Sequence, residues 1–405
     1  MLFLTFFLHN PYIIKINSDN LKNMYISQKN KIKHTETLIN TSLTKVTPKI
    51  QTDKTTEIQD TVQINHSEND LSYYILNPNL QAIDLQTAIE NNLTGKDVVV
   101  AVIDSGIIYD HPDIDKDRII FYKDFSGEST QENPKDILGH GTYVTSIIGG
   151  TGKASKGYNQ GIAPDVKFVI LRITTVSELI KALQWLIENG KKYNVKVINI
   201  SLGVDTNPDK SWEEDEIAKL ADQLAKEFTV VAAAGNDQTY ETIDSPGVAP
   251  NVITVGGSDT KNTPSIEDDE IYVGSSRGPT PTLEKLDKPD VIAPSKKILG
   301  ARVPSSILDP HITSDWSKGY YIESSGTSAG TAIVSGIAAL LYQILPNASP
   351  QTIKHIITQS TIKLKDKNGK EYDKYSQGNG LINIKKAILL AQNIRDNIKT
   401  FNITA

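Results

Sequence analysis

The chain has 405 residues, and 38% of them are hydrophobic, which is enough for one large globular domain or two ordinary ones. The formal net charge of -6 is mild and argues against a nucleic-acid partner, which calls for a concentrated basic face. The absence of cysteine excludes disulfides, zinc–thiolate sites and a cysteine nucleophile. No run of 18 or more apolar residues is present, so no transmembrane span is predicted.

We predict that residues 1–72 form a poorly ordered segment. The start, MLFLTFFL, is apolar but short and has no basic residues before it, so we interpret it as a weak secretory signal, with Met24 as an alternative start. Residues 15–72 are rich in Asn, Lys, Thr, Gln and Ser, and Tyr25 is their only aromatic residue. We expect a pro-segment here and a secreted or cell-surface protein, with a cytoplasmic location as the alternative.

An ordered domain is predicted over residues 73–395, with a short tail over 396–405. Uninterrupted apolar runs predict strands buried on both faces, and therefore parallel, at 98–103, 168–173, 195–202, 229–233 and 252–255. Apolar residues at helical spacing predict helices at 80–92, 142–148, 177–188, 213–228, 350–361 and 384–393. This alternation predicts an α/β fold, with a doubly wound, mainly parallel sheet flanked by helices.

Polar or glycine-rich stretches follow three of these runs. In doubly wound sheets, ligands bind at the carboxyl ends of the strands, so reactive groups are expected at these positions. The three stretches are Asp104-Ser105-Gly106, Ser201-Leu202-Gly203 and Gly235-Asn236.

A hydroxyl-rich turn over residues 324–328 runs directly into a long apolar segment typical of a buried helix. Free backbone N–H groups and the positive helix end favour developing negative charge at such a junction. Ser328 is therefore a candidate nucleophile, and a simple helix cap is the alternative.

A serine nucleophile needs a base, and the base needs an orienting group. Among seven histidines, His140 stands between Gly139 and Gly141 at the mouth of a predicted helix, where glycines allow close backbone approach. Asp104, at the end of a buried strand, can orient the imidazole. The side-chain amide of Asn236 and the backbone N–H of Ser328 are candidate donors to an oxyanion.

These local sequences occur in the order Asp, His, Asn and Ser, and they resemble the subtilisin-like serine proteases (subtilases) over about residues 94–393. The sequences that carry the resemblance are Asp104-Ser105-Gly106, Gly139-His140-Gly141-Thr142, Ala233-Ala234-Gly235-Asn236 and Gly326-Thr327-Ser328. The resemblance implies a subtilisin-like three-layer fold and an endopeptidase that works through an acyl-enzyme. Ser328 would attack the scissile carbonyl, His140 would transfer the proton, Asp104 would orient His140, and Asn236 would stabilise the oxyanion.

The resemblance also implies where a substrate binds. An extended polypeptide would pair with the backbone of Ser201-Leu202-Gly203, with Gly235 among the substrate-binding residues. The cis-proline loop of the family matches Ser245-Pro246-Gly247, which places Asp244 near the floor of the P1 pocket and Asp237 at its rim. Two carboxylates there predict cleavage after Arg or Lys, and solvated loop carboxylates are the alternative.

No cofactor is expected for catalysis, and a monomer is expected. The resemblance also implies a structural calcium site, for which Asp113 and Asn159 are the candidate ligands, and Asp113 as an ordinary turn residue is the competing interpretation.

Two departures from the family pattern concern the candidate nucleophile helix. Ala332 stands where most members have proline, and Ala329 stands where methionine is common. Proline tightens a helix start, so alanine would leave room that favours attack by an amine over attack by water, and a neutral difference in packing is the competing interpretation. A peptide ligase is thus one alternative to a processing protease of the lantibiotic leader-peptidase kind, and a non-catalytic binding homologue is the other. Tyr143 also replaces a frequent histidine.

Overall fold

The computed structural model describes residues 76–310 and 316–403. The predicted segment over 1–72, with its signal and pro-segment, lies outside the described residues. The helices, in chain order, are α1 (Pro78–Ala82), α2 (Leu85–Glu90), α3 (His140–Gly149), α4 (Val176–Asn189), α5 (Glu216–Ala225), α6 (Thr327–Ile344), α7 (Pro350–Gln359), α8 (Lys374–Gln377) and α9 (Ile384–Ile403).

Twelve strands are present in the described part of the chain. They are β1 (Val99–Asp104), β2 (Ile119–Asp124), β3 (Lys167–Arg172), β4 (Val195–Ile200), β5 (Thr229–Ala233), β6 (Ile253–Asp259), β7 (Glu270–Ile271), β8 (Val291–Pro294), β9 (Ile298–Ala301), β10 (Tyr321–Ser324), β11 (Thr361–Ile362) and β12 (Leu381–Ile382). Short 3-10 turns lie at Lys116–Arg118, Lys153–Ser155 and Trp212–Glu214.

Ten of these strands form one sheet in the order β11-β12-β8-β6-β5-β4-β1-β3-β2, with β7 paired to β6. Eight neighbouring strands, β12-β8-β6-β5-β4-β1-β3-β2 in sheet order, are parallel to one another. Strand β11 pairs antiparallel with β12, and β7 pairs antiparallel with β6. The sheet confirms the predicted mainly parallel α/β fold. Strands β9 and β10 form a separate antiparallel hairpin.

Helices cover both faces of the sheet and give three layers. On strand β1, Val100 and Val102 face the layer that contains α3, α6, α7 and α9. Val99, Ala101 and Ile103 face the opposite layer, which contains α4 and α5. Every residue of β1 is buried, which is why its sequence reads as an unbroken apolar run.

Helix α6 lies at the centre of its layer. By length and composition it is the one helix, among those the structure describes, that could cross a bilayer, but 89% of that window is buried inside the fold. It packs on β4, β5, β6 and β8 and against α3, so it is a core helix of the domain.

The termini of several elements differ from the predictions. The helix predicted at 80–92 is divided into α1 and α2 by a left-handed Asp84 with φ 62°. The helix predicted at 384–393 continues to Ile403, so the residues assigned to a tail begin inside α9. Strand β2 and the β9–β10 hairpin were not predicted.

Candidate active site

The loops at the carboxyl ends of β1, β4 and β5 meet the first turns of α3 and α6. β1 has β4 on one side and β3 on the other, so the order of the strands reverses at this point of the sheet. A crevice at such a reversal is the usual ligand site in doubly wound sheets. All four residues that were predicted to share the catalytic work lie at this edge.

Asp104 and His140 form a buried pair. The Nδ1 atom of His140 lies 2.8 Å from Oδ1 of Asp104, and their exposed fractions are 7% and 2%. A neutral imidazole that donates from Nδ1 to the carboxylate keeps its lone pair on Nε2, the atom that a general base uses. The predicted base and its orienting group are therefore in hydrogen-bond contact.

The pKa of His140 is raised above its ordinary value. Burial alone lowers the pKa, because the charged ring loses hydration, but the charge and hydrogen bond of Asp104 outweigh this effect. The charge of Asp136 raises the pKa further. The site thus favours the imidazolium that forms when the base accepts a proton.

Asp136 is a residue that the sequence analysis missed. It is 4% exposed and accepts hydrogen bonds from Ser105 Oγ (2.7 Å), Gly139 N (2.8 Å), Thr142 N (2.7 Å) and Thr142 Oγ1 (2.7 Å). It therefore holds the start of α3, where His140 is the first residue. The sequence feature that could have revealed Asp136 is an acidic residue shortly before a predicted helix start.

Ser328 is the second residue of α6 and is partly exposed. Its hydroxyl donates to the carbonyl oxygen of Ser201 (2.8 Å), and the hydroxyl of Ser201 donates to the carbonyl oxygen of Ser328 (2.9 Å). This reciprocal pair joins the predicted nucleophile to the predicted substrate-binding segment after β4.

Asn236 contacts the residue before the nucleophile. Its Oδ1 accepts hydrogen bonds from the N–H (3.0 Å) and the hydroxyl (3.3 Å) of Thr327. These bonds orient the side chain, so its NH₂ group is the end left to donate to another acceptor. The N–H of Ser328 lies in the first turn of α6, where helix geometry provides no intrahelical acceptor. Two donors are thus available beside the serine.

Asp244 lies beneath the two glycine-containing segments that were predicted to bind substrate. A Cβ atom on Gly203 would lie 2.5 Å from its Oδ2, and a Cβ atom on Gly235 would lie 2.7 Å from the same atom. Val204 and Ser245 pair through two backbone hydrogen bonds of 2.9 Å, which hold this loop against the end of β4. The peptide bond between Ser245 and Pro246 is cis.

A third carboxylate, not predicted, joins this group. Single carboxylate oxygens of Asp205, Asp237 and Asp244 all lie within 4.8 Å of one another. Asp244 is buried, Asp237 is half-buried and Asp205 is exposed, so the cluster extends from the interior to solvent. We call these three residues the acidic cluster. It can hold a cationic side chain or a metal ion by charge attraction.

The predicted calcium ligands are both bonded to protein groups. Asp113 is 1% exposed and accepts hydrogen bonds from the hydroxyl of Tyr321 and the N–H of Ala154. Oδ1 of Asn159 accepts from the side-chain amide of Asn77 at 2.9 Å. These oxygens already satisfy local donors, and calcium binding there stays a prediction.

A doubly wound sheet with a buried Asp–His pair and a serine at a helix start beside two N–H donors defines a serine hydrolase of the α/β class. The model of the Subtilase family matches residues 95–380, and the chain belongs to this family. The chain is a serine-type endopeptidase.

Three known proteins give the range of similarity. Serine protease AprX of Bacillus subtilis is 34% identical over 307 residues, covering 73% of this chain and 67% of AprX. Subtilisin-like protease SBT6.1 of Arabidopsis thaliana is 28% identical over 305 residues, but the match spans only 26% of its length. The solved structure of the prenylagaramide maturation protease PagA superposes with a TM-score of 0.55 at 26% identity, covering 75% of this chain and 98% of PagA.

Proposed function

We propose that this endopeptidase is a processing enzyme that cleaves after Arg or Lys, through an acyl-enzyme on Ser328. In this proposal His140 accepts the serine proton and later donates it to the leaving amine, and Asp104 stabilises the imidazolium. The NH₂ group of Asn236 and the N–H of Ser328 donate to the oxyanion of the tetrahedral intermediate. The buried contact between Asp104 and His140 supports these roles.

The acidic cluster is the single observation that carries the proposed specificity. Three carboxylates within 4.8 Å repel one another, and a cationic P1 side chain would relieve that repulsion. Asp244 lies under Gly203 and Gly235, between which the P1 side chain of an extended substrate would enter. A guanidinium can bond a carboxylate through two N–H groups, which favours Arg over Lys.

A role in maturation is proposed by analogy with PagA, the prenylagaramide maturation protease. The chain covers 98% of the solved PagA chain. Ala332 is fully buried in the core behind Ser328, and we retain hydrolysis as the proposed reaction. Mass spectrometry of products formed with an added amine would reveal ligation instead.

The first test identifies the nucleophile. A fluorophosphonate probe should label the wild-type protein and should fail to label Ser328→Ala or His140→Ala, because the first lacks the hydroxyl and the second lacks the base. Labelling of Ser328→Ala at the wild-type rate would contradict the proposed mechanism.

The second test measures specificity on peptides that differ only at P1. We expect kcat/KM to be at least about tenfold higher for Arg than for Phe or Leu, which corresponds to about 1.4 kcal/mol of transition-state binding. Asp244→Asn should lower the ratio of Arg to Phe by about tenfold or more. Asp209→Asn is the control, because it removes the same charge from an exposed position of the loop after β4, which also carries Asp205 of the acidic cluster. A wild-type preference for Phe or Leu would refute the specificity.

A further inference from the structure

The β9–β10 hairpin connects the two helices that carry His140 and Ser328. Strand β10 ends at Ser324, and the chain continues through Gly326 directly into α6. The N–H of Gly326 donates to the carbonyl oxygen of Ser295, just before β9, at 2.8 Å. The hairpin is therefore attached at its base to the nucleophile arm, the segment over residues 325–328.

The same hairpin is also attached to the base arm, which comprises residues 137–139 and helix α3. Four hydrogen bonds make this attachment: Tyr143 O–H to Ile298 O (3.0 Å), Ala301 N–H to Ser146 Oγ (2.8 Å), Ile307 N–H to Ile137 O (3.0 Å) and Leu308 N–H to Leu138 O (3.1 Å). Two of them hold α3 itself, and two hold the backbone immediately before His140. A displacement of the hairpin would therefore also displace α3 and the backbone that leads into His140.

Close packing reinforces the contact at Gly139. This residue has φ 84°, in the left-handed region, and a Cβ atom on it would lie 2.5 Å from Oγ of Ser306. Ser306, in the turn after β9, therefore packs directly against Gly139, the residue next to His140. The ring of Tyr143 lies 6.3 Å from the His140 ring, centre to centre, and occupies the space left by the missing side chain of Gly300.

A fully buried ion pair closes the turn after β9. Nε and Nη2 of Arg302 bond Oδ1 and Oδ2 of Asp309 at 2.9 and 2.8 Å, and both side chains are 0% exposed. Nη1 of Arg302 donates to the carbonyl oxygen of Gly319 (3.0 Å), and Asp309 also accepts from the N–H of Ser305 (3.0 Å). The pair fixes residues 302–309, which include the two donors to the base arm.

We propose that the β9–β10 hairpin sets the position of His140 relative to Ser328, and that Arg302 and Asp309 are positioning residues that keep it rigid. This inference rests on the proposed roles of Ser328 and His140. A buried ion pair by itself adds little to stability compared with apolar side chains of similar volume. The two parallel hydrogen bonds between Arg302 and Asp309, however, allow only one arrangement of the turn. This matters for catalysis, because a misplacement of about 1 Å at a catalytic group can lower a rate about 10²-fold.

The test compares the double variant Arg302→Met/Asp309→Leu with wild-type protein. The two apolar side chains keep approximately the volume of the pair and remove its two opposite charges together. We expect kcat on a peptide substrate to fall about tenfold or more while KM stays within about twofold, because ground-state binding is not changed. The acid limb of the kcat/KM profile should move to lower pH, because a displaced His140 loses part of its interaction with Asp104. Active sites are counted by fluorophosphonate labelling.

Two further variants keep the outcome interpretable. Tyr143→Phe removes only the hydroxyl that bonds Ile298 and should lower kcat about threefold, even if the double variant does not fold. Lys288→Met is the control for general destabilisation, because this lysine is 2% exposed and ion-paired with Asp290, outside both arms.

The proposal is overturned if the double variant or Tyr143→Phe keeps the wild-type kcat per labelled site and the wild-type acid limb. It is also overturned if Lys288→Met lowers kcat to the same extent. Failure of the proposed function would look different, because Ser328→Ala would then retain labelling and activity.

Discussion

Asp269 is a buried carboxylate with no role in the proposed chemistry, and it predicts a pH-dependent loss of stability. It is 2% exposed, and neither of its oxygens has a hydrogen-bond partner among the described residues. Burial raises its pKa to about 7, the charges of Asp268 and Asp259 add to this effect, and Lys261 opposes it.

The direction in which folding stability changes with pH follows from the protons bound by the folded and the unfolded chain. The folded protein holds the Asp269 proton up to about pH 7, whereas the unfolded chain releases it near the ordinary value of 3.8. Folding stability therefore falls as pH rises from about 4 to about 7 and is level above that range. Three pKa units correspond to about 4 kcal/mol, which is the expected penalty at pH 8.

Asp269→Asn removes this penalty but leaves a buried amide, so we expect a net gain of about 2–4 kcal/mol at pH 8. For a domain of this size the gain corresponds to roughly 3–6 °C in Tm. The gain should shrink to below about 1 kcal/mol at pH 4.5. Thermal and urea unfolding of Ser328→Ala protein, which cannot digest itself in the proposed mechanism, measure both values.

The exposed neighbour Asp268 provides the control. Asp268→Asn removes the same charge from the same loop but should change stability by less than about 1 kcal/mol, because its carboxylate is hydrated and accepts a hydrogen bond from Thr263. Destabilisation by Asp269→Asn at pH 8, or an equal effect at pH 4.5 and pH 8, would contradict a raised pKa of Asp269 in the folded protein.

Two further predictions concern the catalytic groups. Asp104→Asn should lower kcat about 10⁴-fold and move the acid limb of kcat/KM to lower pH, because the raised pKa of His140 depends on the Asp104 charge. A pH–rate profile with an unchanged acid limb would contradict this. Asn236→Ala should lower kcat about 10²–10³-fold with little change in KM, as expected when an oxyanion donor is removed. Thr327→Val, which removes a hydroxyl that bonds Oδ1 of Asn236 and the carbonyl oxygen of Gly235, is its control and should stay within about fivefold of wild type.

The sheet was predictable because its central strands are buried on both faces. Strands β1, β3, β4, β5 and β6 have nearly continuous buried patterns, which the sequence shows as apolar runs. The site residues were predictable for a related reason. A polar residue directly after such a run must lie at the carboxyl edge of the sheet, where chain reversals bring such positions together.

Other elements leave no comparable pattern. Strand β2 is an edge strand of alternating and partial burial, and β9 and β10 have four residues each, with β10 half-exposed. Short strands of this kind depend on pairing partners that are distant in sequence. The acidic cluster has the same origin, because Asp205 meets Asp244 only through the backbone pairing of Val204 with Ser245.

The layer structure separates what stabilises the domain from what aligns the proposed catalytic groups. Helices α3 and α6 lie in the same layer and pack on each other, so their packing and the β9–β10 hairpin set the relation between His140 and Ser328. Helices α4 and α5 lie on the other face of the sheet. A cavity made there, for example by Leu183→Ala, should lower stability by about 2–5 kcal/mol. It should leave kcat per labelled site unchanged, because the rigid sheet lies between the cavity and the site.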